Sequence, residues 1–314
     1  MKEYKDVGSL TLKTKLIILF LKINKKFARQ KSFNLETSRK ARLKNVKKLC
    51  GKPCKGVKIS IVEYGGFSAQ VYTPEKLIDN ELIVLYLHGG AYIGSNVEIY
   101  GGFVSKFARD LGFQCCSLEY PLAPEYPYPS AVNATVAFYN QMIASGCNPS
   151  KIIFAGDSAG AGLALAASKQ MQEERVGMPG LFVLFSPWVD LTMSGNSITR
   201  NATCDLIITK QLIENCAQLY CAGQNPKLPG ISPIFDEFKN FPPVYLLVAD
   251  DEILLSDSER LHDILARDGV DVNFVIWRKT QHAFVVGAQM FPESKIVVDD
   301  IKRFIYTHYG LSLA

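Results

Sequence analysis

Ser158 stands where an apolar run breaks, in Ile152-Ile-Phe-Ala-Gly-Asp-Ser-Ala-Gly160, and small residues continue beyond it to Ala167. A strand that turns sharply into a helix needs small residues two before and two after the turn position, because a side chain there would meet neighbouring backbone. Gly156-Asp157-Ser158-Ala159-Gly160 supplies both, so the turn would hold the Ser158 hydroxyl in the open. The helix that follows would aim backbone N–H groups at the same point. A serine so placed is a candidate nucleophile for acyl transfer, and a tight structural turn is the alternative use of the pattern.

A serine hydroxyl is a weak nucleophile and needs a base within hydrogen-bond reach, itself oriented by a carboxylate. The chain has four histidines. His262 and His308 fall inside amphipathic helical patterns, and His88 precedes two glycines directly after a strand. His282, in Thr280-Gln-His-Ala-Phe284, follows the last strand, which suits the chain order serine, acid, histidine. The acid should end the strand before it, where Asp250, Asp251 and Glu252 stand together; spacing does not choose among them. His88-Gly89-Gly90-Ala91-Tyr92 is a glycine-rich turn whose amides can point at a developing oxyanion, with the Ala159 N–H beside them.

The elements that must position these groups read clearly from residue 56 onward. Val57–Tyr64 and Phe67–Thr73 form a hairpin across Gly65-Gly66. Apolar strands then alternate with helices: strand Leu82–Leu87, helix Val97–Leu111, strand Phe113–Leu118, helix Ser130–Ser145, strand Lys151–Ala155, strand Leu181–Phe185. Strand Val244–Ala249, helix Ser256–Arg267, strand Val272–Ile276 and helix Pro292–Tyr309 complete the series. Such alternation predicts an α/β fold with a mostly parallel central sheet and helices on both faces.

These pieces resemble the hormone-sensitive-lipase-like family of α/β-hydrolase carboxylesterases, bacterial family IV type. The resemblance rests on His88-Gly-Gly-Ala91, Tyr120-Pro-Leu-Ala-Pro-Glu125, Gly156-Asp-Ser-Ala-Gly160, Ser186-Pro-Trp-Val-Asp-Leu191, Asp251-Glu-Ile-Leu-Leu255 and Gln281-His282. It implies an α/β-hydrolase fold with a helical cap: residues 1–55 as a basic N-terminal cap segment, 56–188 and 231–314 as the core, and 189–230 as a second cap segment. It also implies a triad of Ser158, Asp251 and His282, because the family's aspartate opens an Asp-x-x-Leu segment. Oxyanion donors would be Gly89, Gly90, Ala91 and Ala159, with structural support from His88, Glu125 and Asp157. Tyr92, Leu16, Leu19, Phe20, Leu206, Ile207, Leu212, Ile213 and Tyr220 are candidates for the acyl pocket. The activity implied is hydrolysis of short- to medium-chain acyl esters without metal or cofactor. Alternatives are a non-catalytic small-molecule receptor of the same fold and a membrane-associated lipase or deacetylase. Three positions depart from the family pattern: Ala91 for a glycine, Ala161 for a glycine, and Pro121 for an arginine whose bond would be missing.

Composition is that of an ordinary globular protein, 48% hydrophobic and 21% charged over 314 residues. The net charge of +5 hides an asymmetry, since residues 1–58 hold 18 Lys and Arg against 3 Asp and Glu. A basic arm admits an anionic membrane surface as partner, but cap helices whose lysines face water are the favoured reading, and no nucleic-acid motif is present. A homodimer is compatible with the sequence. The segment Leu16-Ile-Ile-Leu-Phe-Leu21 is too short to span a membrane and precedes no cleavage motif, which points to a cytoplasmic protein.

Overall fold

The computed structural model describes residues 2–28, 33–288 and 290–312. In chain order its elements are β1 (Lys2–Asp6), α1 (Leu12–Ala28), α2 (Leu35–Cys50), β2 (Val57–Tyr64), β3 (Phe67–Pro74), β4 (Ile83–Leu87), α3 (Val97–Leu111), β5 (Gln114–Leu118) and α4 (Ser130–Ala144). They continue with β6 (Ile152–Asp157), α5 (Ala159–Glu173), β7 (Leu181–Phe185), α6 (Ser197–Arg200), α7 (Lys210–Cys221), β8 (Val244–Ala249), α8 (Leu255–Arg267), β9 (Val272–Arg278) and α9 (Ser294–Tyr309). One nine-stranded sheet runs in the order β1-β9-β8-β7-β6-β4-β5-β3-β2, parallel except where β3 pairs with β2 and β5.

The period-2 geometry of the strands sorts their side chains into two apolar layers. Leu85 and Leu87 of β4 and Ile152 and Phe154 of β6 face α4, α5 and α8, while Val84, Tyr86, Ile153 and Ala155 face α3 and α9. Both faces are therefore covered, as parallel strands require. The central strand β6 ends at Asp157, so its C-terminal edge, where Ser158 sits, opens between the layers.

The N-terminal region departs from its reading as an all-helical cap. Lys2–Asp6 is a parallel edge strand on β9, with Lys2 opposite Phe274 and Asp6 opposite Arg278. Its charged Lys-Glu-Tyr-Lys-Asp sequence hides the strand from any hydrophobic period and suits an exposed edge, where charge discourages further pairing. The stretch from Trp188 to Ile231, irregular in sequence, holds α6 and α7; Thr209 caps α7 by accepting from the Leu212 N–H. Residues of α1 and α2 and of α7 with the loop before it line the grooves beside the loops that carry Ser158, Asp251 and His282.

Lys13, Lys15 and Lys22 of α1 are exposed, as expected of a cap helix, but its apolar stripe is exposed as well. Its polar side docks: the Thr11 amide and the Thr14 hydroxyl donate to Glu293 at 2.6 and 2.7 Å, and Lys25 donates to the Ala202 and Asp205 carbonyls. Leu12, Leu16, Leu19, Phe20 and Ile23 face outward, Leu16 and Phe20 each 58% exposed.

Candidate active site

Three glycines decide how the site can be built. A Cβ at Gly160 would lie 2.0 Å from the Leu87 carbonyl oxygen, and one at Gly156 would lie 2.8 Å from Leu87 O and Gly160 O. A Cβ at Gly89 would lie 2.2 Å from Asp157 Oδ2. Backbone therefore packs on backbone where β4 and β6 end, and Ser158 takes φ +54°, ψ −120°, a strained conformation for a non-glycine residue. The turn is pinned on both sides: the Ser158 amide donates to Phe185 O at 2.8 Å, and the Trp188 amide donates to Ser158 O at 3.0 Å. The Ala159 amide opens α5 and has no intrahelical acceptor.

Asp157 is buried beneath this turn and fully engaged. Its Oδ1 accepts from the Tyr86 hydroxyl (2.6 Å) and the Gly89 amide (2.8 Å), and Oδ2 accepts from the Tyr100 hydroxyl (2.8 Å). Burial raises its pKa, partly offset by these three donors. The oxyanion turn is thereby tied to the elbow. One consequence corrects the sequence reading: the Gly89 N–H is committed to Asp157 and does not face an oxyanion. Gly90 (φ +130°) and Ala91 (φ +54°) carry the turn, and their amides have no acceptor among the described residues. A Cβ at Gly90 would sit 1.9 Å from Gly94 O, which makes glycine obligatory there.

His88 braces the turn from behind. Its ring stacks on Tyr120 at 4.3 Å, its Nδ1 lies 2.8 Å from Gly89 O, and the Tyr120 hydroxyl donates to His88 O. Full burial pulls its pKa down to about 4, so it stays neutral. Glu125 receives both guanidinium nitrogens of Arg39 from α2, and Arg39 also donates to Ile93 O (2.6 Å) and Ala123 O (2.7 Å).

His282 lies on the loop after β9 and lines the same cavity as Ser158. Its Nδ1 meets Glu252 Oε2 at 2.5 Å, and the acid at this position is Glu252 rather than Asp251. Glu252 is fully buried; its Oε1 accepts from the Ser186 hydroxyl and the Ala249 amide, both at 2.6 Å. Asp251 is only partly buried and lines an outer groove with Lys22, Lys25 and Lys279, away from the cavity of Ser158. The sequence misplaced the acid by one residue because Leu254-Leu255 lets both Asp251 and Glu252 open an acid-x-x-Leu segment. Burial depresses the His282 pKa, but the Glu252 carboxylate, helped by Asp205 and Asp157, outweighs it and leaves the imidazole above its ordinary value.

Two supporting residues were not singled out from sequence. Ser186, at φ +46°, holds Glu252 and accepts from the Ala283 amide at 3.2 Å. Buried Asp205 accepts from Ile207, Ile208 and Ile253 amides, so it locks the second cap segment to the loop that carries Glu252. The Ser186-Pro-Trp-Val-Asp-Leu191 segment was the available signal for the first; nothing local marks the second.

The cavity holds about 320 Å³. Val46 and Leu49 of α2, and Ile207, Ile208, Leu212 and Ile213 of the second cap segment, form its apolar walls, with Trp188 and Val286 below. Of the expected pocket residues, Ile207, Leu212 and Ile213 line it. Leu16 and Phe20 face outward, Leu206 lines the outer groove, and Tyr92 is buried behind the oxyanion turn, stacked on Tyr220 at 3.8 Å.

The family model described as the alpha/beta hydrolase fold matches residues 84–286. An esterase of Acinetobacter venetianus is 32% identical over 223 residues, covering 71% of this chain and 74% of its own. This chain is an α/β-hydrolase of the bacterial hormone-sensitive-lipase type. An acetyl-hydrolase of Streptomyces hygroscopicus is 30% identical over 81% of this hydrolase and 84% of its own length. The crystal structure of an esterase from the bacterial hormone-sensitive lipase family superposes with a TM-score of 0.88 at 28% identity, covering 96% of this chain and 99% of that one. The hydrolase is accordingly a carboxylic ester hydrolase. Among its described residues no group of three or more histidines, cysteines or acids could hold a metal ion, and no helix is long and apolar enough to cross a membrane.

Proposed function

We propose that this esterase cleaves short- to medium-chain acyl esters through an acyl-enzyme on Ser158. His282 takes the hydroxyl proton as Ser158 attacks the ester carbonyl, and Glu252 holds the imidazole and stabilises its cation. The amides of Gly90, Ala91 and Ala159 receive the oxyanion. His282 then protonates the leaving alcohol, and water cleaves the acyl-enzyme by the same steps in reverse. The observation that carries this reading is the chain of contacts from Ser186 through Glu252 to His282, beside a strained Ser158 on the same cavity. Ser158→Ala should abolish hydrolysis of para-nitrophenyl butyrate and labelling by a fluorophosphonate; near-wild-type hydrolysis in that variant would contradict it. Labelling of the wild type also separates an esterase from a receptor that binds without chemistry.

A second reading concerns where the enzyme works. The outward apolar stripe of α1, interleaved with exposed Lys13, Lys15 and Lys22, favours docking on an anionic lipid surface. Co-sedimentation with phosphatidylglycerol vesicles should be lost in a Leu16→Glu, Phe20→Glu variant; equal binding of both proteins removes α1 from the account.

A further inference from the structure

Arg42 lines the cavity that Ser158 and His282 open into, and no carboxylate among the described residues answers its charge. One turn earlier on the same helix, Arg39 is saturated by Glu125 and two carbonyls. Among the described residues Asp157 is the one acid lining the cavity, and its two oxygens are already taken by Tyr86, Tyr100 and the Gly89 amide. Ser38 and Asn45 lie at i−4 and i+3 from Arg42, on the same face of α2, and their side chains also lack partners among the described residues. The other α2 residues on that face, Ala41, Val46 and Leu49, are apolar.

A partly buried guanidinium is costly beside apolar walls unless an anion or water pairs it, and it offers a planar fork of donors suited to a carboxylate. Its position is set by the roof of the site rather than by the catalytic floor, so it would meet a part of the substrate remote from the reacting carbonyl. The basic balance of residues 1–58 would favour arrival of an anion at this side of the molecule.

We propose that Arg42, with Ser38 and Asn45, forms a subsite for a carboxylate carried by the ester, so that the enzyme prefers acidic monoesters over neutral ones of the same size. The inference rests on the Ser158 esterase reading and names the substrate class for that site. A carboxylate can sit on the acyl arm or on the alcohol arm, and two substrate pairs distinguish them. The first pair is para-nitrophenyl hemiglutarate against para-nitrophenyl methyl glutarate; the second is para-acetoxybenzoate against its methyl ester.

The readout is the ratio of kcat/KM for the charged over the neutral member, in which any general loss of activity cancels. In the wild type one pair should give a ratio of about tenfold or more, as a charge-assisted contact supplies. Arg42→Gln should bring that ratio close to one, and Arg42→Lys should retain part of it. The pair that responds identifies the arm. Ratios near one for both pairs in the wild type, or ratios that Arg42→Gln leaves in place, would overturn the subsite. Hydrolysis persisting in Ser158→Ala would instead overturn the esterase reading, so the two failures are separable.

Discussion

The catalytic floor and the cap obey different rules. On the floor, each group sits at the end of a buried strand: Ser158 after β6, Glu252 after β8 and His282 after β9. Backbone packing leaves little choice there, as the contacts a Cβ would make at Gly156 and Gly160 demonstrate. In the cap, α1 docks through Thr11, Thr14 and Lys25 and leaves its leucines outside. Strand ends are thus positioned by sterics, whereas α1 is held chiefly by a few polar contacts.

This contrast can be broken from either side. The largest effect is expected on the floor. Gly160→Val would drive a branched side chain into the Leu87 carbonyl and should destabilise the fold by about 3 kcal/mol or more, beyond the usual range for single substitutions. Urea unfolding against wild type checks it; a loss below 1 kcal/mol would mean that the elbow is less tightly packed than described.

Next is the pH profile. In the proposed mechanism His282 acts as a neutral imidazole base, so kcat/KM should fall as pH drops through its pKa. Because the Glu252 charge favours the imidazolium, the acid limb should lie above the ordinary histidine value of about 6.5. Glu252→Gln removes the larger part of the opposition to burial and leaves only Asp205 and Asp157, so the limb should move to lower pH in whatever activity remains. An unchanged limb would separate Glu252 from His282 titration.

At the cap boundary, Arg39→Ala frees Glu125 and the Ile93 and Ala123 carbonyls, loosening the oxyanion turn from α2. Arg39 acts as a positioning residue, so kcat should fall by about tenfold with a smaller change in KM. Arg39→Lys should recover little, because one ammonium cannot hold four acceptors in the arginine's geometry. Smallest of all, Leu16→Glu with Phe20→Glu should change thermal stability by less than about 0.5 kcal/mol, as exposed positions do. A marked loss would mean that the stripe packs against protein.

The sequence made the floor legible for the same steric reason that makes it rigid. The run from Ile152 to Ala167 allows only a buried strand, a tight turn and a closely packed helix, and those elements lie where periodicity puts them. Register at the acid was not legible, since consecutive leucines make two alignments equivalent and only the fold selects Glu252. Nor does the sequence reveal that Asp157 claims the Gly89 amide, a contact across 68 residues. The cap was least legible. A 3.6-residue period tells that α1 is amphipathic, not which face finds a partner, and β1 carries no hydrophobic signal at all.

The most direct test of the account compares Glu252→Gln with Asp251→Asn in kcat/KM for para-nitrophenyl butyrate. Glu252→Gln should lose on the order of a thousandfold or more, as removal of a triad acid does. Asp251→Asn should stay within about twofold of wild type, since its carboxyl lies in the outer groove. The reverse order, with Asp251→Asn crippled and Glu252→Gln active, would contradict the account.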